Sequence, residues 1–173
     1  MLNYAISIED QLETVQQAKA FLQDISVENY QLVLNPHFIS SPGTHMRHIL
    51  DHYWALKDGL NHGLINYNSR NRNSSIESCP QTALLEWQKI ESWLSQVDHL
   101  DADMPLKVAC ETSINKTHNT QTQSTLGREL VFVASHAIHH FSLLAVINSL
   151  LGNKDEAHFG IAPNTASYIR QQA

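Results

Sequence analysis

One apolar segment, residues 126–151, constrains the fold more than any other part of this chain. Its apolar residues recur every three or four positions, which is typical of a helix that buries one face. The segment also carries three histidines, His136, His139 and His140. Two histidines four residues apart lie on the same face of a helix, and neutral imidazole is the commonest metal ligand. The pattern therefore predicts a core helix with histidines on its buried side.

Helical phase separates these three histidines. At about 100° per residue, the apolar positions define a narrow arc that contains His140 and has His136 at its edge. His139 lies about 100° from His140, toward the flank of the helix. A single histidine on an apolar face is more often a core residue than a ligand. Two unpartnered imidazoles would each cost about 1–3 kcal/mol, so either a shared metal ion or nearby carboxylates must satisfy them.

A second group of histidines lies on an earlier predicted helix. His45, His48 and His52 form a ridge along the border of its apolar stripe, and the small residues Ala55 and Gly59 continue this ridge. The ridge is suited to close contact with a neighbouring helix. A solvated polar border is the alternative, and for His45 and His52 individually it is slightly favoured. Spacing alone does not select one of the three as a partner for His136 and His140.

The remaining patterns predict an all-α fold built on four helices. Cap residues, prolines and apolar periodicity place these helices at about 8–24, 42–64, 80–97 and 125–151. Residues 66–78 are polar and predict an exposed, mobile loop. Alternation near residues 105–122 predicts a short β-hairpin between the third and fourth helices.

Composition predicts one domain, residues 1–173, with an ordinary hydrophobic content of 42%. The net charge is -6 and the Lys and Arg residues are scattered, which argues against a nucleic-acid partner. The amino terminus lacks a signal-peptide pattern, and histidines interrupt the apolar segment, so we expect no export and no membrane partner. The two cysteines have no CxxC spacing. These observations favour the cytoplasm.

Several common site motifs are absent from the sequence. It contains no HExxH, ExxH, GxSxG, P-loop or GxGxxG motif. The remaining hypothesis is a three-nitrogen metal site assembled from two separated helices. Such a ligand set leaves a fourth coordination position open.

Two segments resemble the DinB-like (YfiT-like) family: His48-Ile49-Leu50-Asp51 and the HxxHH segment His136–His140. The resemblance implies a four-helix bundle with a long crossover connection, often a homodimer, that holds a divalent metal ion on three histidines. Carried over to this chain, the ligands are His48, His136 and His140. Characterised members of the family include thiol-dependent transferases and isomerases.

The leading functional hypothesis is a metal-dependent enzyme of the transferase or hydrolase type that acts on a small molecule. We expect a divalent ion, zinc or nickel, and a small thiol as cosubstrate. His52 is the predicted catalytic base, with His45 as the alternative, and Arg47 and Arg128 are candidates for holding an anion. A non-catalytic, stress-related metal- or ligand-binding module is the second hypothesis. The third is a helical interaction protein whose histidines fill the core.

Overall fold

The computed structural model describes residues 7–97, 100–154 and 156–172. Its helices are α1 (Ile8–Asp24), α2 (Val27–Gln31), α3 (Pro42–His62), α4 (Pro80–Val97), α5 (Leu126–Leu150) and α6 (Pro163–Gln172). Its strands are β1 (Leu64–Asn66), β2 (Pro105–Glu111) and β3 (Asn119–Thr125), and a 3₁₀ turn covers Ser75–Glu77.

The four long helices, α1, α3, α4 and α5, lie close to their predicted positions because their ends are encoded locally. The hydroxyls of Ser7, Ser41 and Thr125 each accept a hydrogen bond from the backbone amide three residues later. In the tertiary structure α1 packs against α4, and α3 packs against α5. The core between them is closed by large aromatic side chains such as Trp87, which is fully buried.

The prediction of an all-α four-helix bundle is wrong, because the chain also forms a three-stranded mixed sheet. β2 and β3 are antiparallel and form a hairpin near the predicted place. β1 adds to β2 in parallel, with Ile65 opposite Val108. A strand of three residues is too short to show an alternating pattern, and β3 is polar throughout, so neither strand has the sequence signal of a half-buried strand.

The turn from α3 into β1 depends on two glycines. Gly63 caps α3 with a φ of 69°, a left-handed conformation that favours glycine. Gly59 lies against β1, and a Cβ there would be 2.5 Å from the Cγ1 of Ile65 and 2.8 Å from its Cα. Gly59, at the end of the ridge, therefore contacts a strand, whereas the histidines of the same ridge face the neighbouring helix α5.

The segment 66–78, predicted as an exposed loop, is partly core. Tyr67 and Ile76 are buried, and the backbone amide of Tyr67 donates to the carbonyl of Ala109 on β2. The buried Tyr30 also donates its hydroxyl hydrogen to the carbonyl of Ile76. Two buried apolar side chains within a polar stretch thus tie this segment to the rest of the domain.

Among the described helices, α5 alone is long and apolar enough to cross a membrane by length and composition. A buried core helix meets the same criterion. In the 18-residue stretch of α5 that meets it, 39% of the residues are buried inside the protein.

Candidate metal centre

Three histidines from two helices converge at the centre of the α3–α5 contact. One ring nitrogen each from His48, His136 and His140 lies within 4.8 Å of the other two. The Nε2 atoms of His136 and His140 are 3.2 Å apart. The ring of His48 is 4.9 Å from each of the other two, measured between centroids. The structure therefore brings together the three residues that were predicted to hold a metal ion.

The other histidines of the two segments occupy different positions around this cluster. His52 is only 5% exposed, and its Nδ1 donates to the carbonyl of His48 at 2.9 Å. His45 places its Nδ1 2.9 Å from the Nδ1 of His140. A solvated border is therefore wrong for His52, and His45 also turns inward. His139 is exposed and touches the cluster through the edge of the His140 ring, at 5.3 Å between centroids.

Burial keeps the clustered imidazoles neutral. It lowers the pKa of His48 to about 2, and the neighbouring His52, His136 and His140 lower it further in the same direction. Burial likewise lowers the pKa of His136 and of His140 to about 3, with smaller contributions from adjacent histidines. A neutral imidazole has a free lone pair, which is the form that binds a metal ion. At pH 7 these rings are ready to act as ligands.

The separation of two of these nitrogens fits a tetrahedral cation. Two nitrogens that each lie about 2.0–2.1 Å from zinc are about 3.3 Å apart at the tetrahedral angle. The Nε2 atoms of His136 and His140 already have nearly this separation, at 3.2 Å. The buried Nδ1 of His136 and Nε2 of His45 have no hydrogen-bond partner within the described ranges. A three-nitrogen donor set of this kind suits zinc, nickel, copper or iron.

An aromatic and carboxylate shell borders the cluster on the side of His52. Tyr67 stacks on His52 at 5.2 Å between ring centroids, and Phe132 stacks on His136 at 5.9 Å. The hydroxyl of Tyr67 donates to Glu129, which is fully buried, at 2.7 Å. Burial and this hydrogen bond raise the pKa of Tyr67 well above its usual range.

Sequence reasoning missed Tyr67 and Glu129. Tyr67 lies in a stretch that reads as a polar loop, and Glu129 looks like an ordinary acidic residue in the first turn of a helix. The one available signal was a charged residue two turns before the buried histidine face.

The predicted anion-holding arginines are engaged elsewhere. Arg47 is buried and pairs with Asp51 and, at 2.8 Å, with Glu77. Arg128 bonds Glu129 at 2.9 Å, and its guanidinium lies 5.0 Å from the Phe132 ring centroid. Burial and its two ion pairs leave Arg47 unavailable for an anion, whereas the side chain of Arg128 remains 62% exposed.

Comparison with known proteins finds a curated relative of this chain. No family model matches the chain. The chain is 33% identical over 109 residues to a protein of Rhizopus delemar named FK506-binding protein 5. That match covers 63% of this chain and 28% of the relative, so the chain spans less than a third of the relative's length.

This similarity contradicts the DinB-like resemblance inferred from the histidine spacing. It points to a protein named for a different family, and the mixed sheet is at variance with the implied all-α architecture. The description of the chain as a DinB-like metal-binding four-helix bundle is therefore wrong. The error has a physical origin: residues three or four apart share one face of any helix, so a short motif of histidines at that spacing carries little family information. The fold and the site define a mostly helical domain with a small mixed sheet and a buried histidine cluster.

Proposed function

We propose that this chain binds a divalent metal ion through His48, His136 and His140 and uses it in a transferase or hydrolase reaction on a small molecule. The observation that carries the proposal is the convergence of three neutral ring nitrogens within 4.8 Å in a half-buried site. A metal ion held by three protein ligands supplies either a bound water with a pKa of about 7 or a bound thiolate.

The chain's own residues would serve that reaction from the side of His52. Because the Nδ1–H of His52 donates to the carbonyl of His48, the neutral ring keeps its lone pair on Nε2. Burial lowers the pKa of His52 to about 4, so the ring is in its base form at pH 7. His52 also lies 4.0 Å from the ring of His136, between centroids, which places it beside a proposed ligand. We assign it the role of base, as the sequence predicted.

Metal binding is tested first, without any assumption about substrate. Purified protein is stripped with a chelator, and the uptake of Zn²⁺ and Ni²⁺ is measured by elemental analysis and calorimetry. We expect about one ion per chain. His136→Ala and His140→Ala should each lower the affinity by more than about 100-fold, since loss of an outer partner alone costs about 10–100-fold. His118→Ala, at an exposed histidine, is the matched control. Absence of uptake by the native protein would refute the proposal.

Catalysis is tested separately with the same preparations. Metal-stripped and metal-restored protein are assayed against electrophiles in the presence of several small thiols, and against activated esters without a thiol. We expect turnover only in the restored protein, and a loss in His52→Phe that leaves metal content unchanged. Equal rates with and without metal would exclude a metal-dependent reaction. Stoichiometric metal without turnover would favour the non-catalytic module.

FK506 binding is a second candidate, favoured by the 33% identity to the Rhizopus delemar protein. It predicts that FK506 binds the metal-stripped protein and the His136→Ala variant equally well. Calorimetric titration measures this directly. Saturable binding in both would assign a function that does not use the histidine cluster, whereas no heat of binding would discard this candidate.

A further inference from the structure

His45 contacts one of the three proposed ligands through its ring. The Nδ1 atoms of His45 and His140 lie 2.9 Å apart, a hydrogen-bond distance, and their ring centroids are 5.1 Å apart. His45 belongs to the first turns of α3 and His140 to α5, so this contact bridges the two helices that supply the site. Two neutral ring nitrogens form a hydrogen bond only when one carries the hydrogen and the other offers a lone pair.

The two forms of this bond have different consequences for His140. When His45 donates, the hydrogen of His140 is on Nε2, from which it can be donated to the Nε2 of His136 at 3.2 Å. When His140 donates from Nδ1, its Nε2 keeps a free lone pair. A metal ion needs that lone pair, so His140 can bind through Nε2 only in the second form.

His45 can take either role because its other nitrogen has no fixed partner among the described residues. Its Nε2 is buried and has no hydrogen-bond partner in the part of the chain that the structure describes. His52 is the contrast, since the carbonyl of His48 can only accept and therefore holds the hydrogen of His52 on Nδ1. A ring without such a constraint can donate before the metal binds and accept afterwards.

We propose that His45 is a positioning residue that selects the metal-binding tautomer of His140, by accepting the Nδ1–H of His140 at its own Nδ1. This inference rests on the proposed metal binding by His48, His136 and His140. His45 is not a fourth ligand in this arrangement, because its Nδ1 accepts the hydrogen bond and its Nε2 carries the hydrogen. The fourth coordination position stays available.

Two substitutions separate the hydrogen bond from simple packing. His45→Leu fills similar space but cannot accept a hydrogen bond, whereas the amide oxygen of His45→Asn takes roughly the place of Nδ1 and can accept one. Zn²⁺ affinity is measured by competition with a chromogenic chelator at pH 7.5. We expect His45→Leu to lose about 10–100-fold in affinity and His45→Asn to recover most of that loss. His118→Leu removes an exposed histidine as the control.

A second measurement does not depend on any variant. Long-range ¹H–¹⁵N spectra of the wild-type protein report which nitrogen of each ring carries the hydrogen. In the Zn²⁺-loaded protein we expect the hydrogen of His140 on Nδ1 and that of His45 on Nε2. Spectra that show a nitrogen of His45 bound to the metal, or equal Zn²⁺ affinity in wild type and His45→Leu, would overturn the inference.

The two proposals fail in distinguishable ways. If the wild-type protein takes up no Zn²⁺, the proposed function fails and the role of His45 fails with it. If the wild type binds Zn²⁺ and His45→Leu binds it equally well, the metal site stands and only the role of His45 is lost.

Discussion

Burial sets what each histidine can do, and the histidines of α3 and α5 differ sharply in their exposure. His52 is 5% exposed and has its Nδ1 engaged by a carbonyl, so its ring orientation is fixed. His139, beside His140 on α5, is exposed and makes only a ring-edge contact. The helical phase predicted the flank position of His139. It did not predict the burial of His52, because a border position becomes buried when a segment from elsewhere packs over it, as Tyr67 does over His52.

Removing one hydroxyl tests the shell behind His52. Tyr67→Phe deletes the donor to Glu129, a carboxylate with no exposed surface, and so leaves one of its oxygens without that partner. We expect the free energy of unfolding to fall by about 1–3 kcal/mol, measured by urea denaturation. Tyr168→Phe removes the same hydroxyl from a tyrosine that is 63% exposed and should have little effect. Equal stability of the two variants would contradict the assigned role of Tyr67.

At the level of elements, α3 serves several neighbours at once. One face carries His45, His48 and His52 toward α5, while Arg47 and Asp51 form a buried ion pair on another. Asp51 also accepts a hydrogen bond from the backbone amide of Asn71 at 3.2 Å, which ties the segment after β1 back to the helix. The helix end packs on β1. Because most of its surface is in contact with other elements, α3 both positions the candidate site and anchors the sheet.

The contact between α3 and β1 predicts the sign of the stability change when Gly59 is replaced by alanine. In an exposed helix interior, replacing glycine by alanine stabilises by about 1 kcal/mol. Gly59→Ala should instead destabilise by about 1–3 kcal/mol, because its Cβ would lie 2.8 Å from the Cα of Ile65, a backbone atom with little freedom to move. Thermal and urea unfolding measure the change. Asp58→Ala, at the adjacent exposed position, is the control and should not destabilise. A more stable Gly59→Ala variant would show that the contact is absent in solution.

For the whole molecule, a buried cluster of neutral histidines links stability to pH. The folded pKa values of about 2 to 4 for His48, His52, His136 and His140 lie below the value of about 6.5 in an unfolded chain. Between these limits the unfolded chain binds more protons. The free energy of unfolding must therefore fall as the pH falls below about 6.5.

Urea unfolding of chelator-treated protein at pH 7.5, 6.5 and 5.5 measures this dependence. Each extra proton bound by the unfolded chain contributes a slope of up to about 1.4 kcal/mol per pH unit. We expect a smaller slope in the double variant His136→Gln/His140→Gln, which lacks two of the titrating rings. A wild-type slope no steeper than that of the double variant would mean that these rings are not buried as neutral groups.

Local patterns in the sequence were enough to predict the four long helices and part of the histidine geometry. Caps such as Ser41 and Thr125 act within one turn, and apolar periodicity indicates which face of a helix is buried. Both can therefore be predicted from the local sequence. Periodicity also placed His136 and His140 on one inward face of α5. Periodicity could not select their partner on α3. The resemblance that supplied His48 is contradicted as a family assignment.

The mixed sheet, the Tyr67–Glu129 pair behind His52 and the contact between His45 and His140 all depend on tertiary packing. β1 is three residues long and exists because β2 offers it a parallel partner, an interaction between segments about forty residues apart. Tyr67 and Glu129 meet across an even longer separation, as do His45 and His140. Such contacts depend on how elements pack in space, and no local pattern of residues encodes them. The tautomer proposed for His140 is therefore a property of the folded chain alone.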